Sequence, residues 1–94
     1  MSDVVHELIA TERALDKLAA RSIEPAEVAQ VPRNAHVTVR NPRNAGKRRI
    51  LVGSTDSGRV LTLVIEQTLD PTTWLIVTGW SATDAERKLL ARNR

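Results

Sequence analysis

Val60-Leu61-Thr62-Leu63-Val64-Ile65 is the stretch whose reading decides the fold. Five of its six side chains are apolar. That is too many for a strand with one wet face, so the segment reads as a central strand covered on both sides. Just before it, Asp56-Ser57-Gly58 has the composition of a hairpin turn, and Arg49-Ile50-Leu51-Val52-Gly53 is the partner strand. One step further out, Val37 and Val39 alternate with His36, Thr38 and Arg40, the period of a strand with a single buried face. Asn41-Pro42-Arg43-Asn44-Ala45-Gly46 is the loop between those two strands. On the other side of the central strand, Asp70-Pro71 turns the chain and Trp74-Leu75-Ile76-Val77-Thr78 forms the last strand. Thr83-Asp84-Ala85-Glu86 then has the form of a capping box that opens a C-terminal helix.

Toward the N-terminus the period changes. Val4-Val5-His6-Glu7-Leu8-Ile9 makes a short first strand, and Thr11 caps a helix on which Ala14, Leu15, Leu18 and Ala19 recur at helical spacing. Ser22-Ile23 breaks that helix, Glu24-Pro25 starts another because proline suits the first helical position, and the second helix stops before Pro32. The expected order is β-α-α-β-β-β-β-α. The class is α+β, with two N-terminal helices packed on an antiparallel sheet in one domain spanning 1–94. The sheet face away from those helices is expected to be exposed and to carry the function.

Composition narrows the chemistry. With no cysteine among 94 residues, disulfides and thiolate metal sites are excluded, and His6 and His36 alone make a poor metal site; no metal and no cofactor are expected. The chain has no apolar run long enough to span a bilayer, and its start lacks the basic residues of a secretory signal, so a soluble cytoplasmic protein is expected. The net charge of +3 hides an uneven distribution. Residues 1 to 31 are net −3, whereas residues 32 to 59 carry Arg33, Arg40, Arg43, Lys47, Arg48, Arg49 and Arg59 against Asp56 alone. Such a basic middle suits a phosphate backbone, although a solvated charged face has the same composition.

Three segments in succession resemble the BrnT-type toxins of the RelE/ParE superfamily. The first is Lys17-Leu18-Ala19-Ala20-Arg21-Ser22-Ile23-Glu24-Pro25-Ala26-Glu27-Val28, similar to that family's helix, break and second helix. The second joins Arg48-Arg49-Ile50-Leu51-Val52-Gly53 to Gly58-Arg59-Val60-Leu61-Thr62-Leu63-Val64-Ile65 across a hairpin, and the third runs from Trp74-Leu75-Ile76-Val77-Thr78 into Ala82-Thr83 and Glu86-Arg87. Gly79-Trp80-Ser81 stands where the family carries a pair of arginines. The resemblance implies a RelE-like fold and the toxin of a type II toxin–antitoxin pair. It also implies a DNA-binding cognate antitoxin, joined to the toxin in a hetero-oligomer, and RNA cleavage without a metal. Two other readings stay open: a non-catalytic homologue that binds only antitoxin or nucleic acid, and a ParE-like toxin acting on DNA gyrase.

Cutting RNA through its own 2′-hydroxyl needs a proton acceptor, cations for the charge gathering on phosphorus, and a proton for the departing oxygen. Arg48 and Arg49 are candidates for the phosphate clamp. Strand alternation lets only one of them reach the site, and the family's spacing from Gly53 favours Arg48. The resemblance assigns Glu86 as proton acceptor and Arg87 as a second cation, although Glu86 three residues after Thr83 is also what capping alone requires. Arg43, Lys47, Arg49 and Arg59 are candidate RNA contacts. Trp80 is a candidate stacking surface at the junction between the last strand and the helix, or else a buried ring. Core filling is the expectation for Trp74, and ordinary strand positions are the expectation for the two histidines.

Overall fold

The structure is a computed structural model that describes residues 3–40 and 46–93. The element order among them is the expected one, with a single 3-10 turn added. Strand β1 (Glu7–Ala10) runs into helix α1 (Glu12–Ala19), capped by the Thr11 hydroxyl, which accepts from the Ala14 amide at 3.2 Å. Ser22 takes a left-handed conformation with φ 59° and ends the helix, and Ile23 then plugs the core. Helix α2 (Pro25–Gln30) follows, opened by a reciprocal box between Glu24 and Glu27. The second helix stops at Gln30, before Pro32 as expected, although the chain does not straighten there. It tightens into the 3-10 turn Val31–Arg33, which accepts a proline near its start because the missing amide would have no partner there.

Among the described residues four more strands and one helix follow: β2 (His36–Arg40), β3 (Arg48–Ser54), β4 (Val60–Gln67), β5 (Thr73–Ser81) and α3 (Asp84–Arg92). Gly58, at φ 90°, supplies the left-handed residue that the tight β3–β4 turn demands. The sheet order is β1-β5-β4-β3-β2. The expectation of an antiparallel sheet is corrected here, because β1 pairs parallel to β5 and the sheet is therefore mixed. The reason is topological. The first and second strands occupy opposite edges, so the chain between them must cross four strand spacings, about 19 Å, and α1 and α2 are that crossing.

The crossing helices bury one sheet face. Val5, Leu18, Ile23, Val28 and Val31 pack against Leu51, Leu61, Leu63, Ile65, Trp74 and Ile76. As its composition indicates, β4 is central, with Leu61 to Ile65 all buried. Alternation sends Val52, Thr62 and Val64 to the other face, where α3 lies over β3 and β2 and buries Leu90. That second face was expected to be open throughout; α3 covers its β2–β3 side, Thr62 and Val64 of β4 are buried as well, and the partly exposed strip that remains, a shelf, is made by Glu66 with Leu75, Thr78 and Trp80 of β5. Strand β5 continues through Gly79-Trp80-Ser81, so Trp80 belongs to a strand and not to a junction. A bulge between its pairs with Val64 and Ile65 helps re-aim the last turns of this strand. A side chain at Gly79 would meet Leu63 Cδ2 at 2.5 Å, which explains a glycine directly under α1. No helix among the described residues is long and apolar enough to cross a membrane.

Candidate nucleic-acid interface

Arg48 opens β3 and shares its face with Ile50 and Val52, the face on which α3 lies. Directly across the ladder is Glu66, and Arg48 Nε donates to Glu66 Oε1 at 3.0 Å. Both side chains keep about a third of their surface, 37% and 32%, so the pair is screened by water and a competing phosphate can reach it. Arg49 turns the opposite way. Its Nε donates to Asp3 Oδ2 at 2.9 Å, its Nη1 to the carbonyls of Gly46 and Arg48, and only 12% of the side chain is exposed. Alternation thus leaves Arg48 as the one member of the arginine pair on the shelf.

At the other end of the shelf stand Trp80 and Glu86. Glu86 closes the capping box at the start of α3: its Oε1 accepts from the Thr83 amide at 2.8 Å, and the Thr83 hydroxyl accepts from the Glu86 amide at 3.3 Å. The same carboxylate accepts from Trp80 Nε1 at 3.1 Å, which fixes the half-buried indole on the sheet. Burial pushes the Glu86 carboxyl up. The Thr83 amide, the Thr62 hydroxyl, the Trp80 indole and the Thr83 hydroxyl outweigh it, and hold the group below its ordinary 4.5. Thr62 Oγ1 is fully buried beside this carboxylate, and although it favours the charged form it makes no hydrogen bond of good geometry.

Arg48 and Glu86 lie on one face but are not brought together. The Arg48–Glu66 rung is four β4 residues from the Thr62–Trp80 rung, about 13 Å along the strand. Several nucleotides can span that distance; a single phosphodiester cannot touch both groups. Arg87 is exposed one residue beyond Glu86, and Lys47 is exposed beside Arg48. Arg59 is committed elsewhere, donating to the Ser22 carbonyl at 2.8 Å, to both Glu27 oxygens and to Ser81 Oγ, so it ties α2 to the ends of α1 and β5. Arg43 lies outside the described residues. Trp74 fills the core and donates its indole N–H to the Val4 carbonyl. His36 Nδ1 sits 2.8 Å from the Asn34 carbonyl, which requires the ring to donate from that nitrogen, and His6 is exposed. Among the described residues no group of three or more histidines, cysteines or carboxylates is placed to hold a metal ion.

A cationic element that charge counting missed also borders the shelf. A groove of about 340 Å³ runs from Glu66, Arg48, Leu75 and Val77 to Arg13 and Lys17 of α1. The N-terminal segment is net acidic, so the total concealed these two bases; the four-residue spacing of Arg13, Lys17 and Arg21 was the available signal. No family model matches the chain, and no curated protein matches it at a significant level.

Proposed function

We propose that this chain is the toxin of a type II toxin–antitoxin pair, with a RelE-like arrangement of its α+β fold, and that it acts on RNA lying along the shelf of β4 and β5. The observation that carries the reading is the common face of Arg48, Trp80 and Glu86, in a chain whose three successive segments resemble BrnT-type toxins. Arg48 meets the phosphate by exchanging Glu66 for it, and the exposed Arg87 supplies a second charge near α3. Proton acceptance by Glu86 has the least support. An effective base has a pKa near the working pH, whereas this carboxylate is held below 4.5 and is already shared among its donors. Its position supports anchoring Trp80 and the start of α3.

That commitment of Glu86 favours a second reading, a binding-only homologue that holds RNA or an antitoxin without cutting. One experiment separates the two. Purified chain is incubated with single-stranded RNA in chelator, and induced cells are scored for growth. Cleavage and growth arrest, both lost in Arg48→Ala, support the ribonuclease; intact RNA with harmless expression and retained RNA binding selects the second reading. DNA damage in induced cells with translation intact would refute both in favour of action on a gyrase.

A further inference from the structure

We propose that Arg13, Lys17 and Arg21 form a cationic track for the backbone of a single-stranded nucleic acid, running along the outer edge of β5 to Trp80, on which a base stacks. The inference rests on the RNA reading and adds where the strand runs. Four-residue spacing aligns Arg13 and Lys17 on one line of α1 about 6 Å apart, and Arg21 follows just past the helix end. Glu12 and Asp16 occupy a separate line one position round the helix. Strand β1 covers β5 only from Thr73 to Ile76, and among the described residues no other strand pairs with the remaining edge. The end of α1 lies against that edge instead: Arg21 Nη1 donates to Thr78 Oγ1 at 3.1 Å and to the Gly79 carbonyl at 2.8 Å. The Arg13–Lys17–Arg48 groove continues into a second one, lined by Lys17, Ala20, Arg21 and Thr78.

Helix stability does not account for these charges. Lys17, in the last turn of α1, suits the helix dipole, but Arg13 is the second residue of the helix, at the end that repels cations. Like charges four residues apart also repel. Among the described residues neither Arg13 nor Lys17 has an ion-pair partner, in contrast to Arg33, Arg48, Arg49 and Arg59. The track ends where an aromatic begins. Trp80 lies two residues beyond Thr78 on the shelf, with its ring held by Glu86. A groove of cations with a fixed aromatic at its end is what sequence-tolerant binding of single strands requires, because every base offers a face to stack. An acidic protein segment would use the cations and leave the indole without a role.

The test measures fluorescence anisotropy of the full chain with labelled oligo-dT and 2′-O-methyl oligo-U of about 12 nucleotides. Neither probe can be cut through a 2′-hydroxyl. The double variant Arg13→Ala/Lys17→Ala should bind more weakly, with the slope of log affinity against log salt shallower by about 1.4. The gap from wild type then narrows about sevenfold between about 50 and 200 mM salt. Lys88→Ala/Arg92→Ala, on the outer line of α3, should keep the wild-type slope, and tryptophan emission should be quenched on binding except in Trp80→Leu. A double variant with the wild-type slope overturns the track while leaving the RNA reading standing. Wild-type binding to poly-glutamate and to neither oligonucleotide, lost in the double variant, overturns it in favour of an acidic protein partner. Oligonucleotide binding absent from every variant and from wild type, with no response to poly-glutamate, overturns the RNA reading beneath it.

Discussion

Replacing Glu86 by alanine and, separately, by glutamine separates an anchor from a proton acceptor. The carboxylate accepts from the Thr83 amide at 2.8 Å and the Trp80 indole at 3.1 Å, and it sits in the first turn of α3. Charged hydrogen bonds contribute about 1.5–3 kcal/mol each when dry, and about 1 kcal/mol each is appropriate at this half-exposed site. Favourable interaction with the helix dipole adds about 0.5 kcal/mol. Glu86→Ala should therefore destabilise by about 2.5 kcal/mol and lower the melting midpoint by about 10–20 °C, since about 1 kcal/mol moves a domain of this size by about 4–8 °C. Trp80 emission should shift to the red as the ring loses its anchor. Glu86→Gln keeps an oxygen for both donors, and should lose less than about 1 kcal/mol. The pH dependence has a definite sign. Because the folded pKa is depressed below 4.5, the stabilisation is complete above that value and is lost as pH falls through the lower folded pKa. Glutamine removes this contribution and flattens the acid limb measured by circular dichroism. A Glu86→Ala midpoint equal to wild type would refute the anchoring argument. So would a Glu86→Gln variant of wild-type stability that no longer cuts RNA.

Other substitutions test other links. Arg59→Ala removes the donor shared by Ser22, Glu27 and Ser81 and should cost about 2 kcal/mol, read as a lower urea midpoint at unchanged slope. Retained RNA affinity at low temperature in that variant would mark the residue as a tie and not a contact. Ser22→Gly relieves the left-handed strain at φ 59°, offset by the greater freedom of the unfolded chain, and should gain up to about 1 kcal/mol in thermal melts. A loss of stability there would show that the serine side chain contributes more than the strain costs. Glu66→Gln frees Arg48 from its partner and should tighten RNA binding up to about fivefold, the equivalent of an exposed ion pair worth about 1 kcal/mol. Unchanged or weaker binding would remove Arg48 from the contact surface.

Local chemistry was the part of the fold written most plainly in the sequence. Thr11, Glu24-Pro25 and Thr83-Asp84-Ala85-Glu86 each acted within four residues, and each starts a helix where its composition indicates. The unbroken apolar run of Val60 to Ile65 could only be central, and it is. What stayed hidden depends on residues far apart in the chain. Nothing near Glu7 to Ala10 announces a parallel pairing with Thr73 to Ile76, because a four-residue strand has the same composition in either direction. The end of β5 was equally opaque, since Gly79 reads as a breaker until Leu63 and Leu18 are seen to need its empty side.

The geometry of the candidate site was legible to the same extent and for the same reason. Alternation at Arg48-Arg49 was enough to say that one guanidinium faces the shelf and the other the opposite side, which the partners Glu66 and Asp3 bear out. Which cations remain available is a property of the folded surface. The basic middle of the chain spends Arg33 on Asp56, Arg49 on Asp3 and Arg59 on Glu27. The acidic N-terminal segment contributes Arg13 and Lys17, which border the same groove as Arg48. A count along the sequence therefore directs attention to arginines that the fold pairs internally. Ion pairing within the fold neutralises much of the local excess, and the cations left over, not the totals, are the ones a phosphate backbone would meet under the proposed function.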